Sequence, residues 1–299
     1  MTVTTAADTM KEAADITVGR KEEGSHMKYR SKRFVAIMVA AMLVTVLATG
    51  CGKKQKTEKI LEDTQESVEE VESVTGKIKL EMKVKQDNIP MNVNVDMDFE
   101  SGQKAQASHI WGNLNADFGV GESQIETEIY RTKDGDKFVT YHKMDGQWYK
   151  QEGDDTEELL VDSAYKDLEE LADKLTADNK DSEVNGKKCH ELTGTLQGKA
   201  LENMVKSGEL GALGIYDFIN GETLSKADIP CTMAIYEKDE KIAYIELDMK
   251  EPMLAIYEEQ VEDLEGIDVS VCRLKIEFQK YNSVKAIEVP QDIIESAVE

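Results

Sequence analysis

Apolar and polar residues alternate along two neighbouring segments near the start of the chain. Apolar side chains occupy every second position from Ile78 to Val84 and again from Met91 to Phe99, with lysine, asparagine and aspartate between them. A period of two with one polar face is typical of antiparallel strands that are buried on one side only. The pattern therefore predicts a sheet with one apolar face and one solvated face.

Further alternating runs extend the predicted sheet. Residues 110–118 and 124–132 continue the meander, and Asp-Gly at 134–135 and 145–146 and Asn-Gly at 185–186 are typical of hairpin turns. Other runs with strand-like alternation cover residues 137–144, 147–151, 187–196, 231–238, 241–250 and 269–280, with a weaker one at 286–289. Counting the strands of this pattern gives about nine to eleven.

Helical spacing marks the segments between these strands. Residues 57–74 repeat apolar positions with glutamate between them, which predicts an amphipathic first helix. Over residues 155–177, Asp155 and Glu158 form a capping-box pattern ahead of a stripe of apolar residues, which predicts a second helix. Shorter helices are expected at about 199–219 and at 291–297. No linker divides these elements, so residues 57–299 are predicted to form a single domain.

Residues 27–50 have the pattern of a bacterial secretion signal. Basic residues at 28–33 precede an apolar run of about 14 residues, too short to span a bilayer, and small residues stand directly before Cys51. The stretch resembles a lipobox, with Ala48 where leucine is most usual. The resemblance implies that Cys51 is lipidated, becomes the mature N-terminus and holds the protein on the outer, extracytoplasmic face of the cell membrane. An uncleaved helix with an incidental cysteine is the alternative.

The segments on either side of the signal have no role in the predicted fold. Residues 1–26 lack hydrophobic periodicity, and the codons for Lys21-Glu22-Glu23 can hold a ribosome-binding site before Met27. Translation is therefore predicted to start at Met27, although Gly24-Ser25-His26 also resembles the remnant of a cleaved tag. Residues 51–56 are polar and are predicted to form a lipidated tether between the membrane and the domain.

The charge of the chain excludes one class of partner. Without residues 1–50, which hold 7 of the 36 basic and 5 of the 60 acidic residues, 29 basic and 55 acidic residues remain, a net charge of −26. Nucleic acids bind to basic surfaces that release counterions, so no nucleic-acid partner is expected. A protein partner in the cell envelope, binding the acidic surface, stays open.

Three cysteines follow Cys51, and their spacing is irregular. Cys189, Cys231 and Cys272 form no CxxC pair, and each lies in a strand-like run. Burial as small apolar side chains is the simplest interpretation. One disulfide among them is an open alternative, because the predicted compartment is oxidising.

Several short motifs resemble the LolA/LppX-like superfamily of extracytoplasmic lipoproteins. The motifs are Phe138-Val139-Thr140-Tyr141 with Asp145-Gly146 and residues 147–150, then residues 189–194, then Tyr281-Asn282 with residues 287–290. The resemblance implies an α+β fold: a curved, half-open antiparallel β-barrel whose concave apolar face is covered by helices. It also implies a hydrophobic ligand, a lipid or acyl chain, on that face. The absence of an outer-membrane signal favours a Gram-positive-type envelope.

Methionine is common in the apolar phase of the predicted strands. Its flexible thioether adapts to variable shapes, which suits a lipid cavity, but it fills irregular cores equally well. Both interpretations stay open here. The candidate ligand-binding residues are Met82, Met91, Val93, Val95, Met97, Met233, Ile245, Leu247 and Met249. Trp148, in the Asp-Gly hairpin, either gates such a cavity or pairs with aromatic residues across strands.

The sequence contains no recognisable catalytic motif. His109, His142 and His190 lack a second ligand at metal-binding spacing, and Asp96, Asp98 and Glu100 do not complete a calcium loop. The glycine and serine motifs of nucleotide-binding proteins and hydrolases are missing too. No enzyme activity, metal or cofactor is therefore expected. The predicted function is binding or carrying a hydrophobic ligand, and the alternative is a structural or interaction lipoprotein with a filled core.

Overall fold

The computed structural model describes residues 50–87, 89–104, 106–119, 121–153, 159–166, 168–178, 182–197, 204–205, 208–215, 227–260 and 267–299. The strands are β1 (Ser73–Gln86), β2 (Ile89–Gly102), β3 (Ala107–Asp117), β4 (Glu122–Asp134), β5 (Lys137–Met144), β6 (Gln147–Glu152), β7 (Leu175–Ala177), β8 (Ser182–Val184), β9 (Lys187–Gln197), β10 (Asp228–Tyr236), β11 (Ile242–Asp248) and β12 (Ile267–Tyr281). The α-helices are α1 (Gly50–Ser67), α2 (Leu160–Tyr165), α3 (Gly208–Ala212), α4 (Lys250–Gln260) and α5 (Gln291–Ser296). Two short 3-10 helices span Val68–Glu70 and Leu168–Leu171.

All twelve strands belong to one antiparallel sheet. Strands β1 to β6 form a meander, β1 pairs with β12, and β11, β10 and β9 follow outward from β12. Both β7 and β8 pair with β9. The curved sheet stays open, because its two edge strands, β6 and β7, do not pair with each other. The predicted curved, half-open antiparallel fold is confirmed. Two of the twelve strands, β7 and β8, have three residues each and are too short to show an alternating pattern.

Strand β1 lies at the centre of the sheet, and its register explains the alternation of the sequence. Ile78 is fully buried and pairs with Met97 on β2 and with Ile276 on β12. On the opposite side, Lys77 Nζ lies 3.0 Å from a carboxylate oxygen of Asp98. We call the apolar side the inner face and the polar side the outer face. The predicted difference between the two faces is confirmed.

The turn signals are confirmed where hairpins were expected. Asp145 and Gly146 both have positive φ, 50° and 79°, between β5 and β6. Asn185 and Gly186 have φ of 53° and 76° between β8 and β9. Positive φ at both central residues is the type I′ geometry, whose twist matches that of paired strands, so these residues set the strand register.

The predicted second helix over 155–177 is wrong beyond Tyr165. The chain leaves α2, makes the 3-10 turn at Leu168–Leu171 and then enters β7. The backbone of Leu175–Ala177 pairs with β9, and Ala177 N donates to Thr57 Oγ1 at 2.9 Å. Hydrogen bonds to the sheet edge therefore override the local helical pattern. Asp155 and Glu158, the predicted cap, lie outside the described residues.

Three other expectations need correction. The expected tether at 51–56 is helical, because helix α1 begins at Gly50; lysine and glutamine are good helix formers and extend it from the amphipathic segment.

Helix α4 was not predicted: β11 ends at Asp248, and Pro252 lies in the first turn of the helix, where proline is tolerated. Residues 286–289 form no strand. Of the helix expected at 199–219, α3 is confirmed and much of the rest lies outside the described residues.

Candidate functional site

The inner face of the sheet is covered by helices and forms one continuous apolar core with them. Helices α1 to α4 and residues 159–166 and 168–171 lie on this face, and we call them the cover. The core extends from Phe138 on β5 to Leu175 on β7. A ligand bound between the inner face and the cover would contact only apolar side chains, apart from the polar contacts described below.

The structure brings the nine predicted ligand-binding residues together in this layer. Eight are buried and Met91 is half-buried against them: Met82 is 4% exposed, Val93 0%, Val95 6%, Met97 1%, Met233 1%, Ile245 2%, Leu247 0% and Met249 0%. The face is therefore packed in this state. Met253 of the cover and Met204 also belong to this core, and neither was among the predicted residues; Met253 was missed because α4 was not predicted.

A buried carboxylate joins two elements of the cover to the sheet. Glu209 in α3 is fully buried, accepts a hydrogen bond from Ser101 Oγ of β2 at 2.9 Å and accepts another from Leu160 N of α2 at 2.7 Å. Arg131 of β4 is 1% exposed, and its guanidinium lies 3.7 Å from the centre of the Phe138 ring. We call Glu209, Ser101, Arg131 and Leu160 N the polar latch.

Opposing effects act on the Glu209 carboxyl group. Burial raises its pKa above the ordinary glutamate value, because the charged form loses hydration. The hydrogen bond from Leu160 N, the hydrogen bond from Ser101 and the positive charge of Arg131 favour the charged form and oppose this shift. Burial is the largest of these effects, so the balance raises the pKa.

A second set of polar contacts holds the other end of α2. Tyr165, the last residue of α2, accepts a hydrogen bond from Ile242 N at 2.9 Å, and its hydroxyl lies 2.9 Å from that of Tyr281. Tyr281 Oη donates to Ile242 O at 2.6 Å, so Tyr165 Oη donates to Tyr281 Oη. These three residues, the tyrosine latch, form a closed ring of hydrogen bonds. Burial raises the pKa of both phenols, which therefore stay neutral.

Substituting Tyr165 with phenylalanine tests the tyrosine latch. The variant leaves the buried N–H of Ile242 without its acceptor, so we expect it to lower the free energy of unfolding by about 1–3 kcal/mol. Tyr281→Phe leaves that N–H paired and is expected to cost about 1 kcal/mol. Urea unfolding of both variants measures the difference. Equal losses would show that the N–H of Ile242 is not what the latch satisfies.

Of the latch residues, Arg131 could be recognised from the sequence pattern and Glu209 could not. Arg131 follows Ile129 in the apolar phase of β4, so a buried charge was visible in the pattern. Its neighbour Glu209 lies in a five-residue helix with no apolar stripe and gave no signal.

No disulfide can form among Cys189, Cys231 and Cys272. Cys231 pairs with Leu247 on β11, which pairs with Leu274 on β12, so Cys231 is two strands away from Cys272. Two strand spacings are about 10 Å, beyond the Cα separation that a disulfide allows. Cys189 belongs to a cluster on the outer face. All three thiols are free and buried, and burial raises the pKa of Cys189 to about 11.

Trp148 lies on the outer face, away from the predicted cavity. Its ring centre is 6.0 Å from that of Tyr130, and it packs beside Tyr141 and Ile293 of α5. The aromatic contact across strands is confirmed, and the gating hypothesis is wrong because the ring faces the wrong side. His109 stacks on Tyr130 with ring centres 4.0 Å apart.

Other possible sites in the described part of the chain are few. No group of three or more histidine, cysteine, aspartate or glutamate residues is placed to hold a metal there. A depression of about 440 Å³ at the β6 edge is lined by Lys150, Gln151, Glu152 and Glu299, a polar set unsuited to a hydrophobic ligand. Among the helices formed by described residues, none is long and apolar enough to cross a membrane.

Comparison with solved structures finds proteins of similar topology. LprF from Mycobacterium bovis is 12% identical with a TM-score of 0.44, over 79% of this chain and 97% of LprF. Lipoprotein LppX from Mycobacterium tuberculosis is 9% identical with a TM-score of 0.40, over 78% of this chain and 99% of LppX. A DUF1329 protein from Desulfovibrio piger is 7% identical with a TM-score of 0.22, over 78% and 95% of the two chains. The predicted resemblance to LolA/LppX-like proteins is confirmed as a resemblance.

Sequence comparison places the chain in a family. No curated protein matches it. A family model described as a family of unknown function, DUF6612, matches residues 56–217, which is more than half of the chain and runs from helix α1 through the six-strand meander to α3. The chain therefore belongs to the DUF6612 family.

Proposed function

We propose that this protein is a lipid-anchored, extracytoplasmic lipoprotein that binds or carries a hydrophobic ligand, a lipid or acyl chain, between the inner face and the cover. One observation carries the proposal: the apolar face of a twelve-strand open sheet is covered by short helices instead of a second sheet. Of the cover elements, α2 has six residues and α3 has five. Both lie on a layer rich in methionine, which adapts to ligands of different shape.

The energetics favour opening by a ligand. The core is packed without one, so the ligand must displace part of the cover, and the two latches hold that part. Breaking a buried polar contact costs about 1–3 kcal/mol. Burying a CH₂ group gains about 0.8 kcal/mol, so an acyl chain of about ten methylenes supplies roughly 8 kcal/mol. This gain exceeds the cost of opening either latch alone.

The anchor is part of the same proposal. Cys51 lies in the first turn of α1, directly after the segment with the pattern of a secretion signal. Lipidation there would place the single domain of residues 57–299 on the outer face of the cell membrane, joined to the lipid by residues 51–56, after removal of residues 27–50. The membrane, through the lipid on Cys51, is then the first partner of the protein.

The packing of the inner face favours a second candidate function. Eight of the nine proposed ligand-binding side chains are at most 6% exposed, as in an ordinary filled core. A structural or interaction lipoprotein, binding an envelope protein through its acidic surface, would need no cavity. Ligand binding requires the cover to open, whereas a structural or interaction role does not.

Titration of a fluorescent long-chain fatty acid into Cys51→Ser protein, purified without detergent, tests the proposal. We expect saturable binding that an unlabelled phospholipid competes away. Glu209→Gln, which weakens the polar latch, is expected to speed uptake. Absence of saturable binding by both proteins, each shown to be folded by circular dichroism, would favour the filled-core alternative.

A further inference from the structure

The inner face reaches solvent at one end of the sheet. Along one row of paired residues, Leu80 is 3% exposed, Val95 is 6% exposed, Leu114 is half-buried and Ile125 is 39% exposed. Along this row the apolar surface therefore continues from the core to β4, where Ile125 is exposed.

Further apolar side chains surround this point. Ile89, at the start of β2, is 45% exposed, and Met91 and Phe118 are half-buried against the core. The β1–β2 connection and the β3–β4 loop lie at this same end, because Asn92 near the start of β2 pairs with Asp117 at the end of β3. We call Ile89, Met91, Leu114, Phe118 and Ile125 the rim.

The N-terminus of α1 points toward the same end. At the other terminus of the helix, Ser67 Oγ donates to Glu240 O in the β10–β11 turn at 2.9 Å. That turn lies where β1 begins, since Tyr281 pairs with Val74 and bonds to Ile242. Helix α1 has 18 residues, a length of about 27 Å, and Thr57 Oγ1 accepts a hydrogen bond from Ala177 N of β7 at 2.9 Å. Ala177 pairs with Leu192, which pairs with Met233, three residues before the end of β10. Cys51 is therefore displaced from this turn along the strands, toward the end that carries the rim, at the β7 edge of the sheet.

We infer that the rim is a membrane-contacting surface, and that the anchored protein sits with this open end against the phospholipid bilayer. The inference rests on the proposed lipidation of Cys51, which brings the same end of the molecule to the membrane. Exposed isoleucine and half-buried phenylalanine gain free energy when they enter the boundary between headgroups and acyl chains. A hydrophobic ligand would then pass from the bilayer to the inner face without crossing water.

Charge decides what holds the rim on the membrane. The strand ends beside the rim carry Asp87, Asp117, Glu122 and Glu126 against the exposed Lys83 and Lys85, so acidic residues outnumber basic ones and attraction to anionic lipids does not supply the contact. Apolar burial must supply it. Two acyl chains on Cys51 keep the protein on the membrane, and the rim sets its orientation.

Site-specific labelling of the lipidated protein in phosphatidylcholine vesicles tests this orientation. An environment-sensitive fluorophore is placed at Ile89→Cys or Ile125→Cys, and at the control sites Asp136→Cys and Lys238→Cys, which lie in turns at the opposite end. The other cysteines do not interfere, because Cys51 is alkylated and the remaining three are buried. We expect a quencher attached to the lipid chains to quench the rim labels and to leave the controls unchanged. Equal quenching at all four sites, or quenching of the controls alone, would overturn the inference.

Substitutions in an unlipidated background provide the second measurement. In the Cys51→Ser protein, Ile89→Asp and Ile125→Asp are each expected to weaken vesicle binding roughly five- to ten-fold. Ile294→Asp is the matched control, since Ile294 is 43% exposed but lies in α5. An equal loss for Ile294→Asp, or no loss at the rim, would contradict the proposal. Because this assay needs no lipid on Cys51, failure of the rim and failure of lipidation give separate results.

Discussion

Replacing Glu209 with alanine is expected to lower the free energy of unfolding by about 3–5 kcal/mol. The substitution removes the acceptor for Ser101 Oγ and for Leu160 N and takes the carboxylate away from the buried Arg131. Because Leu160 belongs to α2 and Glu209 to α3, both elements lose their polar attachment to the sheet. Urea unfolding followed by circular dichroism measures the loss.

The matched variant Glu209→Gln keeps the shape and one oxygen acceptor. It is expected to cost about 1–2 kcal/mol, which is less than the alanine variant. A loss for Glu209→Ala that is no larger than for Glu209→Gln would show that Glu209 does not join the cover to the sheet.

The stability of the wild type relative to Glu209→Gln is expected to depend on pH. Burial raises the pKa of Glu209 in the folded state, so the folded protein holds this proton to a higher pH than the unfolded chain does. The stability from this group is fully present below the ordinary glutamate pKa of 4.5 and is lost as pH rises through the raised value. Wild-type stability should therefore fall relative to Glu209→Gln as pH rises from 4.5 toward neutral. A constant difference would contradict the shift.

Replacing Cys51 with serine, in a chain whose residues 27–50 are exchanged for a secretion signal that is cleaved without lipidation, is expected to move the protein from the membrane fraction to the soluble fraction. Serine has no thiol to carry a thioether-linked lipid, and two acyl chains are what make such an anchor stable. Fractionation of cells that express this variant or the unaltered chain measures the change. Mass spectrometry of the N-terminal peptide is expected to show an acylated Cys51 in the wild type.

Cys189→Ser serves as the matched control. This thiol is 1% exposed within the domain and is not expected to be acylated, so the variant should stay in the membrane fraction. A wild-type chain that stays in the membrane fraction without acylation, with segment 27–50 uncleaved, would instead favour the uncleaved helix.

The sequence predicted those parts of the fold in which local pattern and burial agree. Alternation from Ile78 to Phe99 identified the two central strands and the face they bury, and the Asp-Gly and Asn-Gly pairs identified the hairpins. In these segments each strand has one solvated face, so the period of two is visible in the residues themselves.

Long-range contacts decided the parts that were missed. The leucine-rich segment after Tyr165 has a helical pattern, but its last three residues complete the sheet beside β9. Its apolar residues were correctly expected to be buried, although the element was wrong. The partnership of Glu209 with Ser101 and Leu160 joins residues more than 40 positions apart, and no local pattern reports such a contact.

Native mass spectrometry tests the central claim most directly. The chain starting at residue 51 and carrying Cys51→Ser is exported into the envelope of the organism that encodes it and is purified without detergent. Its intact mass is measured, and any bound molecule is then extracted into organic solvent. The proposal predicts a lipid or acyl-chain adduct that disappears on extraction. A clean protein mass that stays unchanged after incubation with envelope lipids would contradict ligand binding and leave the filled-core lipoprotein as the function.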